Sequence, residues 1–199
     1  ASKQITLRHL LNQTSGFSRA DGIAPLLAGS QATIEELARG LAGVSLNRPV
    51  GERFEYSNLN YVLLAAVLQA QTGRSWRELV QARVLDPLAM THSHVDHDAA
   101  RRNGMTRVHQ IVFGVPVARD AMELLPAFEP TGGLVASAND MARYLGMLLA
   151  EGTTPAPSSR RVLSAAGVAQ LLAPASPPGH STLLSAHFDF RYGEGWFVG

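Results

Sequence analysis

The stretch Gly51-Glu52-Arg53-Phe54-Glu55-Tyr56-Ser57-Asn58-Leu59-Asn60-Tyr61 decides how the rest of the 199-residue chain is read. Before it, Pro49-Val50-Gly51 makes a turn, since proline presets one backbone angle and glycine tolerates the reversal. From Leu59 the residues Tyr61, Val62, Leu63, Leu64, Ala65, Val67 and Leu68 continue to a stop at Thr72-Gly73. This pattern predicts a helix apolar on most of its circumference, and such a helix belongs at the centre of a fold. Tyr56-Ser57-Asn58 then sits where the turn gives way to that helix, near its N-terminal amides. A tyrosine so placed can shuttle protons if cations or the helix dipole lower its pKa from the usual ~10. The asparagine is both acceptor and donor, which suits it to orient a substrate amide or carbonyl. In isolation, such a triplet more often means that Ser57 or Asn58 caps the helix and Tyr56 packs at its start.

The flanks predict more helices. Leu7, Leu10 and Leu11 share one face of a short helix that stops at Thr14-Ser15-Gly16. Thr33-Ile34-Glu35-Glu36 and Ser75-Trp76-Arg77-Glu78 have the form of capping boxes, the first ahead of Leu37 and Leu41, the second ahead of a helix ended by Asp86-Pro87. Residues 104–119 turn β-branched, with Gly114 and Pro116 as punctuation, and read as a hairpin. Ser137 opens a helix running to Gly152, and a last helix near Ser164 to Leu172 breaks at Pro174. Phe188, Phe190, Tyr192, Trp196 and Phe197 then form an aromatic, strand-like run with no neighbour to pair with. That run and an N-terminus without methionine read as the ends of a piece cut from a longer protein.

Composition narrows the field. A chain this long with 46% hydrophobic residues can bury one good core. Seventeen basic residues against 16 acidic ones, in no long block, argue against nucleic acid as partner. With no cysteine there is no disulfide, thiolate metal site or cysteine nucleophile. No apolar stretch reaches the ~20 residues of a membrane span.

A catalytic serine without a His-Asp pair needs another base, and a lysine one helical turn later can serve. Lys3 is the only lysine, so these residues hold no Ser-x-x-Lys. Four stretches nevertheless carry a family signature: Ile5-Thr6-Leu7-Arg8-His9-Leu10-Leu11 through Thr14-Ser15-Gly16; Gly51 to Asn58 with Asn60-Tyr61; Leu85-Asp86-Pro87-Leu88-Ala89-Met90-Thr91; and Thr131-Gly132-Gly133-Leu134-Val135 through Asp140-Met141-Ala142. In order and spacing they resemble the serine β-lactamase and penicillin-binding-protein-like family, on the branch of class C β-lactamases and related esterases and peptidases. The resemblance implies an α/β sandwich joined to an all-helical domain, with Ser-x-x-Lys, Tyr-x-Asn and Lys-Thr-Gly or His-x-Gly meeting at the junction. This chain would be mainly α: residues 1–179 the helical domain with a small β-hairpin, and 180–199 the start of the α/β-domain sheet. By the same resemblance Tyr56 is the proton-transferring tyrosine and Asn58 the substrate-orienting asparagine, while the other two motifs fall outside the chain. The whole protein is then expected to open small-molecule amides or esters through an acyl-enzyme, needing no cofactor, and the 199 residues alone to be inactive. A periplasmic or secreted location is suggested by the resemblance alone.

Two other functions compete. His92-Ser93-His94-Val95-Asp96-His97 has the spacing of a zinc site of metal-dependent hydrolases, with imidazoles and a carboxylate suited to the ion. Such a site should follow a buried strand, and here it follows a helix. A non-catalytic binding or regulatory module on the same scaffold is the other. His9 reads as a packed or capping residue, and His109, His180 and His187 lack partners at recognisable spacing. Gly132-Gly133 reads as a close backbone approach more than an anion cradle, and Trp76 and Trp196 as core or interface anchors. The unpaired C-terminal strand could join two copies into a homodimer.

Overall fold

The computed structural model describes residues 3–22, 31–120, 124–155, 157, 159–176 and 191–198. Most of its helices begin where a side chain satisfies an otherwise bare amide. Thr6 caps α1 (Leu7–Leu11), and His9 Nδ1 accepts from the Thr6 amide at 3.2 Å, so His9 is a capping residue. Thr33 and Glu36 close the same reciprocal box at α2 (Ile34–Gly40). The central α3 (Asn58–Thr72) ends at Gly73, whose φ of 66° only glycine adopts cheaply. Ser75 and Glu78 box the start of α4 (Trp76–Val80). Bonds from Thr33 and Ser75 hold the Glu36 and Glu78 carboxyls below the ordinary carboxylate range. Asp96, Ser137 and Ser164 cap α5 (His97–Arg102), α6 (Ala138–Leu149) and α7 (Ala165–Leu172).

Three features depart from the expected pattern. Beyond α4 the helix widens into a π turn, Gln81–Leu85, which buries Leu85 before Asp86-Pro87 ends it. Residues 97–102, to which the sequence reading assigned no element, form α5, because Asp96 accepts from Ala99 N at 2.6 Å and supplies the cap. The C-terminal aromatic run is not one strand: β3 (Arg191–Tyr192) folds back antiparallel onto β4 (Phe197–Val198). Gly193 and Gly195 permit this, the latter with φ 94°. Phe188, Phe190 and the 179/180 boundary lie outside the described residues.

The expected hairpin forms from β1 (Val108–Val112) and β2 (Val115–Arg119), with Val112 opposite Val115 across Phe113-Gly114. Both turn residues have positive φ, which matches the right-handed twist of the strands but is costly for Phe113. The side chains of Ile111, Phe113 and Val115 face solvent.

Apolar burial gathers in three places. Around α3, Leu59, Val62 and Ala65 pack with Phe17, Ile34, Trp76, Ala127 and Phe128. Burying a side chain such as Phe128 removes enough apolar surface that its truncation typically costs about 3–5 kcal/mol. A second cluster joins Leu85, Leu88 and Met90 to Met147, Leu148 and Val168. The third and smallest, Phe54 with Tyr192 and the edge of Tyr56, places the C-terminal hairpin against the segment leading into α3. Among the described residues no helix is long and apolar enough to cross a membrane.

Candidate active site

Residues 13–16 run alongside 47–57 and hold them by backbone bonds. Asn47 N donates to Gly16 O at 2.9 Å, Gly51 N to Thr14 O at 2.8 Å and Glu55 N to Gln13 O at 2.9 Å. Gly16 has φ 90°, and a Cβ there would lie 2.4 Å from the Arg48 carbonyl oxygen, so a larger residue would push the two segments apart. The Thr14-Ser15-Gly16 stop and the Gly51–Asn58 stretch are therefore two sides of one structure.

Within it, Tyr56-Ser57-Asn58 enters α3 in an unusual way. Ser57 occupies the cap position, yet its side chain makes no capping bond; it is fully buried and its Oγ has no hydrogen-bond partner among the described residues. Its amide donates instead to Gln13 Oε1 at 2.9 Å. The same oxygen accepts from Asn60 Nδ2, whose Oδ1 accepts from Ser15 Oγ, both at 2.5 Å. Simple capping by Ser57 is thus replaced by a buried side-chain network, in which each satisfied bond rigidifies its neighbours. Asn58 is half-buried in the first turn of α3. Gly22 comes close enough that a Cβ there would lie 3.1 Å from the Asn58 amide.

Tyr56 is half-buried and packs on Phe54 and Tyr192. Tyr192 is held in turn by Phe54 and Phe197, ring centres 5.2 and 4.9 Å away. Tyr61 Oη donates to Leu11 O at 3.3 Å and lies 3.5 Å from Tyr192 Oη. Burial pushes both of these phenols above the ordinary tyrosine range, and for Tyr61 the neighbouring Tyr192 adds to the effect. Both stay protonated at neutral pH.

The other two signature stretches also meet each other, away from the triplet. Asp140, fully buried, accepts from His92 N at 2.7 Å, Ser93 Oγ at 2.9 Å and Arg143 Nη1 at 3.1 Å. His94 and Val135 form an isolated antiparallel bridge. Gly133 N donates to Glu129 O at 2.7 Å, and a Cβ on Gly133 would lie 2.8 Å from that oxygen, so this glycine serves a close backbone approach.

The geometry gives the zinc alternative no support. Asp96 is committed to capping α5 and to Arg77, 3.5 Å away, which also grips Glu129. His94 is tied into the bridge to Val135 through its backbone. Among the described residues no three His, Asp or Glu side chains are placed to share an ion, so His92, His94, Asp96 and His97 do not assemble as ligands.

Gln13 has no counterpart in the sequence reading. The residues around it signal only the end of a short helix, and its partners lie 44 and 47 positions away.

The chain spans less than half the length of the curated relatives it matches. Penicillin-binding protein 4 of Amycolatopsis lactamdurans is 28% identical over 171 residues, covering 84% of this chain and 44% of that protein. The octameric penicillin-binding protein homologue from Pyrococcus abyssi superposes with a TM-score of 0.72 at 21% identity, over 98% of this chain and 45% of that one. The D-amino acid amidase from Ochrobactrum anthropi SV3, complexed with L-phenylalanine amide, gives 0.70 at 20% identity over 98% of this chain and 53% of that chain. At such identities these structures establish the fold, which is β-lactamase-like. The family described as Beta-lactamase matches residues 1–199, and the chain belongs to that family.

Proposed function

We propose that the whole protein is a serine hydrolase that opens a small amide or ester through an acyl-enzyme, with Tyr56 and Asn58 from this chain in its active site. The observation that carries the reading is the fixed position of Tyr56-Ser57-Asn58 at the start of the central helix, splinted from both sides by residues 13–16. Tyr56 relays the proton between serine and lysine, and Asn58 hydrogen-bonds the substrate amide or carbonyl. The serine and lysine come from a segment beyond these residues. An apolar groove of about 800 Å³, bordered by Leu7, Tyr61, Leu64, Leu68, Leu79 and Tyr144, runs beside α3. In this reading residues 1–179 form the helical part, and β3 with β4 begins the sheet of the second part.

The whole protein should be labelled covalently by a fluorescent penicillin or fluorophosphonate, and the 199-residue chain should not. Labelling of the short chain would overturn the account of the missing nucleophile, and failure of both reagents on the whole protein would remove the hydrolase reading. We also place contact with a second copy at the C-terminal hairpin of β3 and β4, a reading supported by the octameric assembly of the P. abyssi homologue. A strictly monomeric profile in light scattering would rule that contact out.

A further inference from the structure

The geometry points to Gln13 as a positioning residue that sets where the Tyr56 phenol lies, an inference that rests on the role proposed above for Tyr56. Gln13 touches the residues on both sides of that tyrosine. Its backbone oxygen accepts from Glu55 N and its side-chain Oε1 from Ser57 N, each at 2.9 Å. The amides of the two residues on either side of Tyr56 are thereby tied to a single residue, which restrains the backbone rotations that would carry the ring away from Phe54 and Tyr192. Gln13 does this at a cost. Its φ is 62°, a left-handed conformation that a side chain of this length rarely adopts. It is fully buried, with its side chain interacting with the Tyr192 phenol.

A residue serving packing alone would gain from losing the strain. Strain held against such alternatives is characteristic of sites where position matters more than stability. Asn60 completes the arrangement by donating Nδ2 to the same Oε1, which fixes the carboxamide against rotation. Moving Tyr56 through its backbone is enough to matter, because a misplacement of about 1 Å in a catalytic group can cost around a hundredfold in rate.

Gln13→Gly tests the idea, since glycine adopts the positive φ without strain and removes the side chain with its carboxamide. Gln13→Asn serves if the glycine variant folds poorly, as asparagine tolerates the same backbone and falls one methylene short. Gln13→Glu keeps an acceptor oxygen in place and acts as the rescue. The chain has four tyrosines, so 3-fluorotyrosine labelling gives four ¹⁹F signals, assigned by single phenylalanine substitutions. In Gln13→Gly the Tyr56 signal should shift and broaden while that of Tyr144 stays, and Gln13→Glu should restore it. An unchanged Tyr56 signal would overturn the inference.

In the whole protein, Gln13→Gly should slow acylation about 10- to 100-fold. In a Tyr56→Phe background the same change should cost no more than about twofold, because the pair act as one unit. Full additivity of the two losses would show that Gln13 acts by another route. If Tyr56→Phe alone leaves acylation intact, the role of Tyr56 fails, and the ¹⁹F result still decides whether Gln13 positions it.

Discussion

Tyr56→Phe is expected to lower the acylation rate of the whole protein by about 10²- to 10⁴-fold, the span typical for loss of a positioned proton-transfer group. The fold should survive, because Tyr56 contributes its ring to the cluster with Phe54 and Tyr192, and phenylalanine keeps that ring. The hydroxyl of Tyr61 makes the informative contrast. It donates to Leu11 O and faces Tyr192 Oη, so Tyr61→Phe removes a structural hydrogen bond, worth about 1 kcal/mol. That variant should melt slightly earlier and react at nearly the normal rate, because burial holds the Tyr61 proton too tightly for it to be passed on. Rates with a fluorescent penicillin, compared with thermal melts, separate the two tyrosines. Equal rate losses in both variants, or none in Tyr56→Phe, would sink the assignment of Tyr56 as the proton carrier.

Helix starts were legible because capping is local. Thr33 with Glu36 and Ser75 with Glu78 close within a single turn, so their spacing alone announces them. The stop at Gly73 is equally local, a matter of one residue's φ. The core face of α3 followed from the run Leu59 to Leu68. What escaped the sequence depends on distant partners. Nothing near Gln13 says that its carboxamide will meet Ser57 and Asn60, or that its backbone will turn left-handed to do so. Asp96 was weighed as a metal ligand, whereas its nearest task was to cap the next helix. The C-terminal fold-back was readable in principle from Gly193 and Gly195, but the aromatic run suggested a strand more loudly. The four signature stretches drew attention as marks of an active site, and most of their residues turn out to be struts. Residues 13–16 brace 47–57, and Asp140 braces 92–93. Only the triplet stands where chemistry is proposed.

The strut around Asp140 carries the largest expected stability effect of a single polar change. Asp140→Ala should cost about 3 kcal/mol or more, since hydrogen bonds to a charged acceptor contribute roughly 1.5–3 kcal/mol each and the carboxylate itself is fully buried with two donors besides Arg143. Those donors are the His92 amide and the Ser93 hydroxyl, and Ser93 is only 4% exposed, so water cannot readily replace the lost oxygen. The ion pair with Arg143 adds little, because that side chain is half in solvent. Arg143→Ala should therefore cost well under half as much, even though Arg143 also reaches Ala89 O. For a chain of this size each kcal/mol moves the melting temperature by about 2–4 °C, so Asp140→Ala should melt roughly 6–12 °C early. Asp140→Asn keeps the volume and one acceptor oxygen but turns an amide donor toward existing donors, and should fall between the two. If Arg143→Ala proves as damaging as Asp140→Ala, the tie is the ion pair and not the buried carboxylate. The place of failure should also differ from that of the triplet variants. Asp140 holds the Met90–His94 turn to α6, where Leu88 and Met90 pack on Met147 and Leu148. None of its bonds reaches Gln13, Tyr56 or Asn58, so below its lowered melting point the Asp140 variant should react at the normal rate.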